Sequence, residues 1–321
     1  MKIIIPGGNG QVGRMLTSAF MREGHECVVL TRKPSHSTDE APGFREVLWD
    51  GRTLGPWADE LEGADVVINL AGRSVDCRYH ERNLREMMAS RVDSTRVIGQ
   101  AIAQAKNPPR VWLQASTATI YAHRYDAPND EETGIIGGNE SGVPALWRKS
   151  IDIAQAWEAE LNATPTPRTR KVALRAAMVM STARLGVFHI LARHCQLGFG
   201  RFGDGRQYVS WIHEHDFIAA VKFLIEREDL AGPFNLAAPE PLPNRDFIAS
   251  LHTVLGRKLS MPVPRWALEI GTFFLRTETE LILKSRRVVP TRLSKHGFTF
   301  RYPDWPSAVA DLAERWSQQA I

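Results

Sequence analysis

Cysteine is scarce: Cys27, Cys77 and Cys195 are the three in 321 residues, far apart and with no C-x-x-C pair. That spacing excludes a disulfide framework and a cysteine-built zinc site, and it suits a reducing compartment. Long apolar runs are missing too. The stretch Ala267–Leu275 is interrupted by Glu269, well short of the roughly 18 residues a membrane span needs. The chain opens on the apolar strand Lys2–Ile5, leaving no room for a cleavable leader, so the cytoplasm is the expected compartment. Nor is one sign of charge in excess, since 40 basic residues against 36 acidic give a formal net charge of +4. The cations form no tail, so neither a nucleic-acid partner nor a membrane surface is expected.

What is present is apolar residue in quantity, 43% of the chain, enough for one large domain or two lobes. Short runs read as buried strands at Ile3–Ile5, Val28–Leu30, Val47–Trp49, Val66–Ile68, Val111–Leu113 and Val172–Leu174. Helices fall between them. Val12, Leu16 and Phe20 share one helical face closed by Gly24, and a second helix runs from about Asn83 to Ala105. Alternation of this kind predicts an α/β fold, a doubly wound parallel sheet covered on both faces. After Arg175 the pattern loosens into glycine- and arginine-rich loops at Gly198–Arg206 and a proline-punctuated helical region at 262–312. The expected organisation is a nucleotide domain of residues 1–175 plus 206–237. A smaller, mixed, mainly helical substrate lobe takes 176–205 plus 238–321, with its C-terminal unit at about 262–312.

The first strand runs into Pro6-Gly7-Gly8-Asn9-Gly10-Gln11-Val12-Gly13, and a helix begins there. In this G-x-x-G-x-x-G spacing Gly7 permits a tight turn and Gly10 lets the backbone approach a pyrophosphate. Gly13 lets the helix pack closely, and the helix start supplies free N–H groups. A strand before and an amphipathic helix after are the context that turns a glycine triplet into a Rossmann dinucleotide loop. The second strand then ends in Leu30-Thr31-Arg32-Lys33, with no carboxylate for an adenine ribose. Two cations suit a 2′-phosphate instead, so NADP (NADPH) is the expected cofactor, held by Arg32 and Lys33. Leu70-Ala71-Gly72 closes the fourth strand in small residues over which a ligand can pass. Arg91, beside the apolar face of the second helix, either snorkels to solvent or meets the cofactor.

Together with Asp50 and Ser116-Thr117-Ala118-Thr119-Ile120-Tyr121, these residues resemble an extended short-chain dehydrogenase/reductase. The segments Val172–Ser181, Gly205–Asp216, Phe234–Glu240 and Arg286–Tyr302 are similar to one atypical, epimerase-like subfamily. Its members are called nucleoside-diphosphate-sugar-epimerase-related proteins and carry a C-terminal domain of unknown function. The resemblance covers nearly the whole chain. It implies bound NADP(H), with Asp50, Arg91 and Ser116 among the cofactor contacts, and specifies no substrate.

One departure limits what the resemblance implies. The superfamily's tyrosine moves the hydroxyl proton, helped by a lysine four residues on, because a free phenol with pKa near 10 needs a nearby cation. None of the five tyrosines here has that lysine, and alignment on Trp157-Glu158 puts Ser150 and Ala154 in the two places. Thr117 matches the superfamily's substrate-binding hydroxyl or else caps a turn, and Tyr121 stands at the strand end; these are the candidate catalytic groups. By resemblance Arg206 and Trp211 face the substrate, the arginine for an anionic group and the indole for a ring, unless they are surface charge and core. His213 and His215 are expected on opposite faces of a strand without a third ligand, so no metal is expected. Asp130-Glu131-Glu132 reads as a solvated loop, and His194-Cys195 as structural. The sequence thus supports an NADP-dependent epimerase- or reductase-like enzyme on an unidentified small molecule, as monomer or homodimer. The alternative is an NADP(H)-holding sensor or scaffold without turnover. A conventional sugar-nucleotide epimerase ranks behind both.

Overall fold

Runs of Ile and Val, stiff at χ1 and at home on a pleated surface, make the strands of the central sheet. They are β1 (Lys2–Pro6), β2 (Glu26–Thr31), β3 (Phe44–Leu48), β4 (Val66–Asn69), β5 (Val111–Thr117) and β6 (Arg170–Ala176). A seventh strand, Gly232–Leu236, pairs with β6. The computed structural model describes residues 1–34, 42–184, 186–269 and 278–319. Positions 185, 270–277, 320 and 321 of the expected second lobe, and the end of the Ala267–Leu275 stretch, therefore lie outside the described residues.

The order across the sheet is Gly232–Leu236, β6, β5, β4, β1, β2, β3, with every pairing parallel. This is the doubly wound order of a Rossmann fold, extended by one strand, and it reverses direction at β1. Successive side chains alternate between two faces. Ile3, Ile5, Cys27, Val29 and Ile68 pack with Leu16 and Phe20 of α1 (Gln11–Arg22). Ile4, Val28, Leu30 and Val67 pack with Val97 and Ile98 of α2 (Glu81–Gln104) and Leu161 of α3 (Ala145–Ala163). Helix α2 begins two residues earlier than the periodicity predicts because His80 accepts from the Asn83 amide. Strand β3 begins at Phe44 and stops before Trp49.

A second apolar cluster joins α4 (Val187–Gln196), α6 (Asn244–Val254) and the helix Trp305–Gln318. Trp211 lies at its centre, 0% exposed. Its ring meets Trp305 edge-on at 5.0 Å, and Trp305 stacks on Phe247 at 3.9 Å. Of the two readings of Trp211, the core one is what the structure shows and the substrate-facing one is overturned: Trp305, itself stacked on Phe247, and the apolar side chains of α4 and α6 bury it completely. His213 and His215 also differ from expectation. Opposite faces would belong to neighbours in sequence, whereas residues two apart share a face; here the strand ends at His213, which caps α5 (Glu214–Glu226), and the two rings lie 4.9 Å apart. The acidic loop is not wholly solvated either, because Glu131 accepts from the amides of Asn235 and Arg292 and ties the C-terminal segment to the sheet edge. Among the described residues, no helix is long and apolar enough to cross a membrane.

Candidate functional site

Where the strand order reverses, the carboxyl ends of β1, β2 and β4 open onto a cleft of about 1110 Å³. Helix α1 starts at its edge. Gly10 is the N-cap, without a side-chain hydrogen bond, and the first turn carries no acid. The helix start thus presents bare N–H groups and the positive end of its dipole, a ready anion site. Gly7 holds φ at +77°, and a Cβ there would sit 2.8 Å from the Ala71 backbone. A Cβ on Gly13 would lie 2.3 Å from the Gly8 carbonyl oxygen, so α1 rests directly on the loop. At Gly10 the nearest atom to a Cβ is 3.6 Å away; that face is open for a ligand.

The structure places the other expected cofactor residues unevenly. Asn9 lines the cleft and donates to Thr31 Oγ1 at 3.1 Å, fastening the loop to the end of β2. Arg32 lines the cleft and is exposed, whereas Lys33, also exposed, stands beyond its wall. Leu70, Ala71 and Gly72 form the opposite wall. Gln11 turns its amide to Ser181 Oγ at 2.7 Å, and Val12 packs against the sheet core; only their main chain faces the loop. Asp50 is at the rim, but its carboxylate accepts from the Thr53 hydroxyl and the amides of Arg52 and Thr53. Those bonds hold its pKa down, the Thr53 hydroxyl foremost. Arg91 lies behind Gly72, whose added Cβ would be 3.2 Å from its Cζ. It donates to the Met87 carbonyl at 3.1 Å and covers Trp157 at 5.0 Å. Burial lowers its pKa to about 10. Ser116 is 6% exposed, and its hydroxyl donates to Glu158 Oε1 at 2.5 Å inside a largely buried network.

Residues that pattern reading missed complete the cleft. Trp49 and Trp57 meet edge-on at 5.5 Å on one side, and Arg52, Arg73 and Glu86 stand at the mouth. The aromatic pair is visible in the sequence as two tryptophans flanking a glycine turn. Nothing in the sequence says that they converge on the glycine loop.

At the end of β5 the geometry is different. Thr117 Oγ1 accepts from the Thr119 amide at 3.1 Å, capping the one-turn 3₁₀ helix Ala118–Ile120, and the side chain stays partly exposed. Tyr121 is 2% exposed. Its hydroxyl accepts from Arg175 at 2.8 Å and donates to Asn235 at 2.9 Å, while Arg175 holds Glu158 through two nitrogens. Burial outweighs Arg175 and pushes the phenol's pKa up. Tyr121 is therefore a clamp in the core and not a proton-transfer group. Ala154 is 1% exposed against Ala118, Tyr121 and Val288, which leaves no charge at that position. Ser150 donates to Glu280 Oε2 at 2.5 Å, an acid no local motif announces. Arg206 is on the surface, its guanidinium 5.7 Å from the Tyr125 ring and its amide on Asp204. It does not line the cleft. Among the described residues, no group of three His, Cys, Asp or Glu side chains is placed to hold a metal ion.

A family model described as the NAD dependent epimerase/dehydratase family matches residues 3–237. A second, described as a domain of unknown function (DUF1731), matches residues 263–312. The chain is similar to the human epimerase family protein SDR39U1, with 28% identity over 316 residues, 97% of this chain and 99% of that protein. To the epimerase family protein YfhF of Bacillus subtilis (strain 168) it is 29% identical over 314 residues, 97% and 98% of the two chains. A crystal structure of human SDR39U1 (isoform 2) with NADPH matches at a TM-score of 0.81 and 26% identity, covering 98% of this chain and 99% of that one.

Proposed function

Because the chain belongs to the NAD dependent epimerase/dehydratase family, we propose that it binds NADP(H) in the cleft and exchanges hydride with a small molecule. The observation that carries this reading is the meeting of an uncapped helix start with Arg32, in place of a carboxylate, at the end of β2. The amides at Gln11–Gly13 would hold the diphosphate, and Arg32 would grip the 2′-phosphate in a charge-assisted contact, with Lys33 adding charge nearby. The related human structure was solved with NADPH. When bound, the cofactor supplies a hydride acceptor or donor. This chain's part is to position it, to keep Thr117 beside the reacting carbon as a hydrogen-bond partner, and to move a proton. The substrate is unassigned, the cytoplasm is the compartment we assign, and the working form is a monomer or homodimer.

Calorimetric titration with NADPH and NADH tests the cofactor. NADPH is expected to bind tighter, and the double variant Arg32→Ala, Lys33→Ala to lose that preference, about tenfold or more for NADPH. Equal loss for both dinucleotides would refute the 2′-phosphate assignment. The buried alanine at position 154 favours a second reading, an NADP(H)-holding sensor without turnover. Stereospecific exchange of hydride between bound cofactor and a metabolite extract separates the two.

A further inference from the structure

The sequence Glu280-Leu-Ile-Leu-Lys284 reads as a surface pair at i, i+4. The fold buries it instead. Both side chains are 1% exposed, with Lys284 Nζ 3.7 Å from Glu280 Oε1. Lys284 donates to the Thr119 carbonyl at 2.8 Å, and Arg286 Nε donates to Thr119 Oγ1 at 3.1 Å. From α3, Ser150 reaches Glu280 Oε2. The C-terminal segment thus brings a carboxylate and an ammonium to the gap between the end of β5 and α3, against the residue that stands at the tyrosine position. Glu280 Oε1, although buried, has no hydrogen-bond partner. An ion pair taken wholly out of water adds little net stability, and less still when, as here, its own acceptor oxygen lacks a hydrogen bond. Ser150 and Thr119 are the partly exposed members of the group, so Ser150 Oγ is the hydroxyl tip of a buried acid–base pair.

We propose that Ser150, backed by Glu280 and Lys284, moves the substrate proton in place of the missing Tyr–Lys pair. The proposal rests on the hydride-transfer reading above. In the oxidising direction the carbinol C–H gives its hydride, with the electron pair, to NADP⁺. The substrate O–H proton passes to Ser150 Oγ as the serine's own proton passes to Glu280 Oε2. The C=O bond forms, NADPH results, and the carboxylate becomes neutral beside Lys284. Reduction reverses each transfer. Serine is catalytic here because it touches the reacting oxygen; Glu280 acts through it, and Lys284 positions and polarises Glu280. Burial pushes the Glu280 carboxyl up, against Arg286 and Lys284, and pulls Lys284 down to about 8. The upward shift favours a carboxyl basic enough for neutral-pH work, and Lys284, still cationic at neutrality, restrains it. The other groups facing the pair are Tyr79 from the loop before α2, Arg286, and His123 and Glu140 toward Lys284.

The test uses the full chain with NADPH and 9,10-phenanthrenequinone, a carbonyl probe whose reduction needs both hydride and proton. Ser150→Ala and Glu280→Gln are expected to lower kcat about 100-fold or more at unchanged NADPH affinity. Ser150→Thr keeps the hydroxyl and is expected to stay within about tenfold of the parent. Lys284→Met removes a cation, raises the carboxyl pKa and moves the alkaline fall of the reduction rate to higher pH, which a merely structural lysine would not do. Should Glu280→Gln fail to fold, Ser150→Ala at its partly exposed position decides alone. Parental kcat in Ser150→Ala overturns the proposal, as does an unmodified chain that binds NADPH but never oxidises it with the probe. A chain that does not bind NADPH at all overturns the reading beneath it.

Discussion

The two ends of the site are built by opposite means. The glycine-loop end is made from one short stretch, residues 2–22, in which strand, turn and helix are neighbours and the ligand-facing groups are backbone. The end at β5 is assembled from side chains that start far apart: Thr119 meets Lys284 across 165 residues, and Tyr121 meets Asn235 across 114. Backbone sites tolerate side-chain change but not added volume. Assembled charge sites tolerate neither the loss of a partner nor its neutralisation. A cofactor platform can therefore persist unchanged while the chemistry beside it is rebuilt with other residues.

The largest loss is expected from Arg175→Met. It leaves Glu158 buried without its cation and is expected to destabilise the fold by about 3–5 kcal/mol in urea unfolding, with NADPH affinity unchanged in the folded fraction. A loss under about 1 kcal/mol would mark the pair as solvent-screened. Gly13→Ala attacks the other end, forcing a methyl against the Gly8 backbone. We expect a loss of about 3 kcal/mol, the upper part of the range for overpacking, together with loss of NADPH binding. Retained binding would show that the loop yields.

Acid sharpens the contrast further. Burial, with His215 beside it, lowers the His213 pKa to about 3 against the pull of Asp311. Nδ1 accepts from the His215 amide, so Nε2 carries the proton and donates to Asp311 at 3.0 Å. Unfolded, this histidine binds a proton below about 6.5 that the folded chain refuses. Its contribution is therefore complete above that pH and is lost as pH falls toward the folded value. The slope is about 1.4 kcal/mol per pH unit, read from urea midpoints between neutrality and mild acid. His213→Asn, which still caps α5, should flatten that slope; an unchanged slope would assign it to other groups. The smallest effect is expected from Thr117→Val, which removes one cap on a single turn and costs about 1 kcal/mol, while turnover falls sharply. Unchanged turnover would remove Thr117 from the mechanism.

Legibility follows the same division. Six strands of the alternation, the loop at Gly7–Gly13 and the cationic end of β2 could be read because each depends on residues a few positions apart; the seventh strand, Gly232–Leu236, could not. Trp211 could not be placed. A tryptophan in glycine-rich sequence looks alike whether it lids a cleft or fills a core, and only Trp305, 94 positions on, decides it. Tyr121 looked reactive for a related reason, since a phenol at a strand end shows its chemistry while the Arg175 that immobilises it lies on another strand. Glu280 and Lys284 were hidden by their very spacing, which in most helices marks water-facing charge. Ser116 and Asp50 were each read by position alone, and each spends its side chain on an internal hydrogen bond.

Protein synthesis runs from the amino end, and domains fold as their segments become available. The Thr119 carbonyl and the Ser150 hydroxyl leave the ribosome long before the lysine and the acid that meet them. A nascent chain consequently has a period in which its glycine-loop cleft can form while the neighbouring gap still lacks the lysine and the acid that fill it.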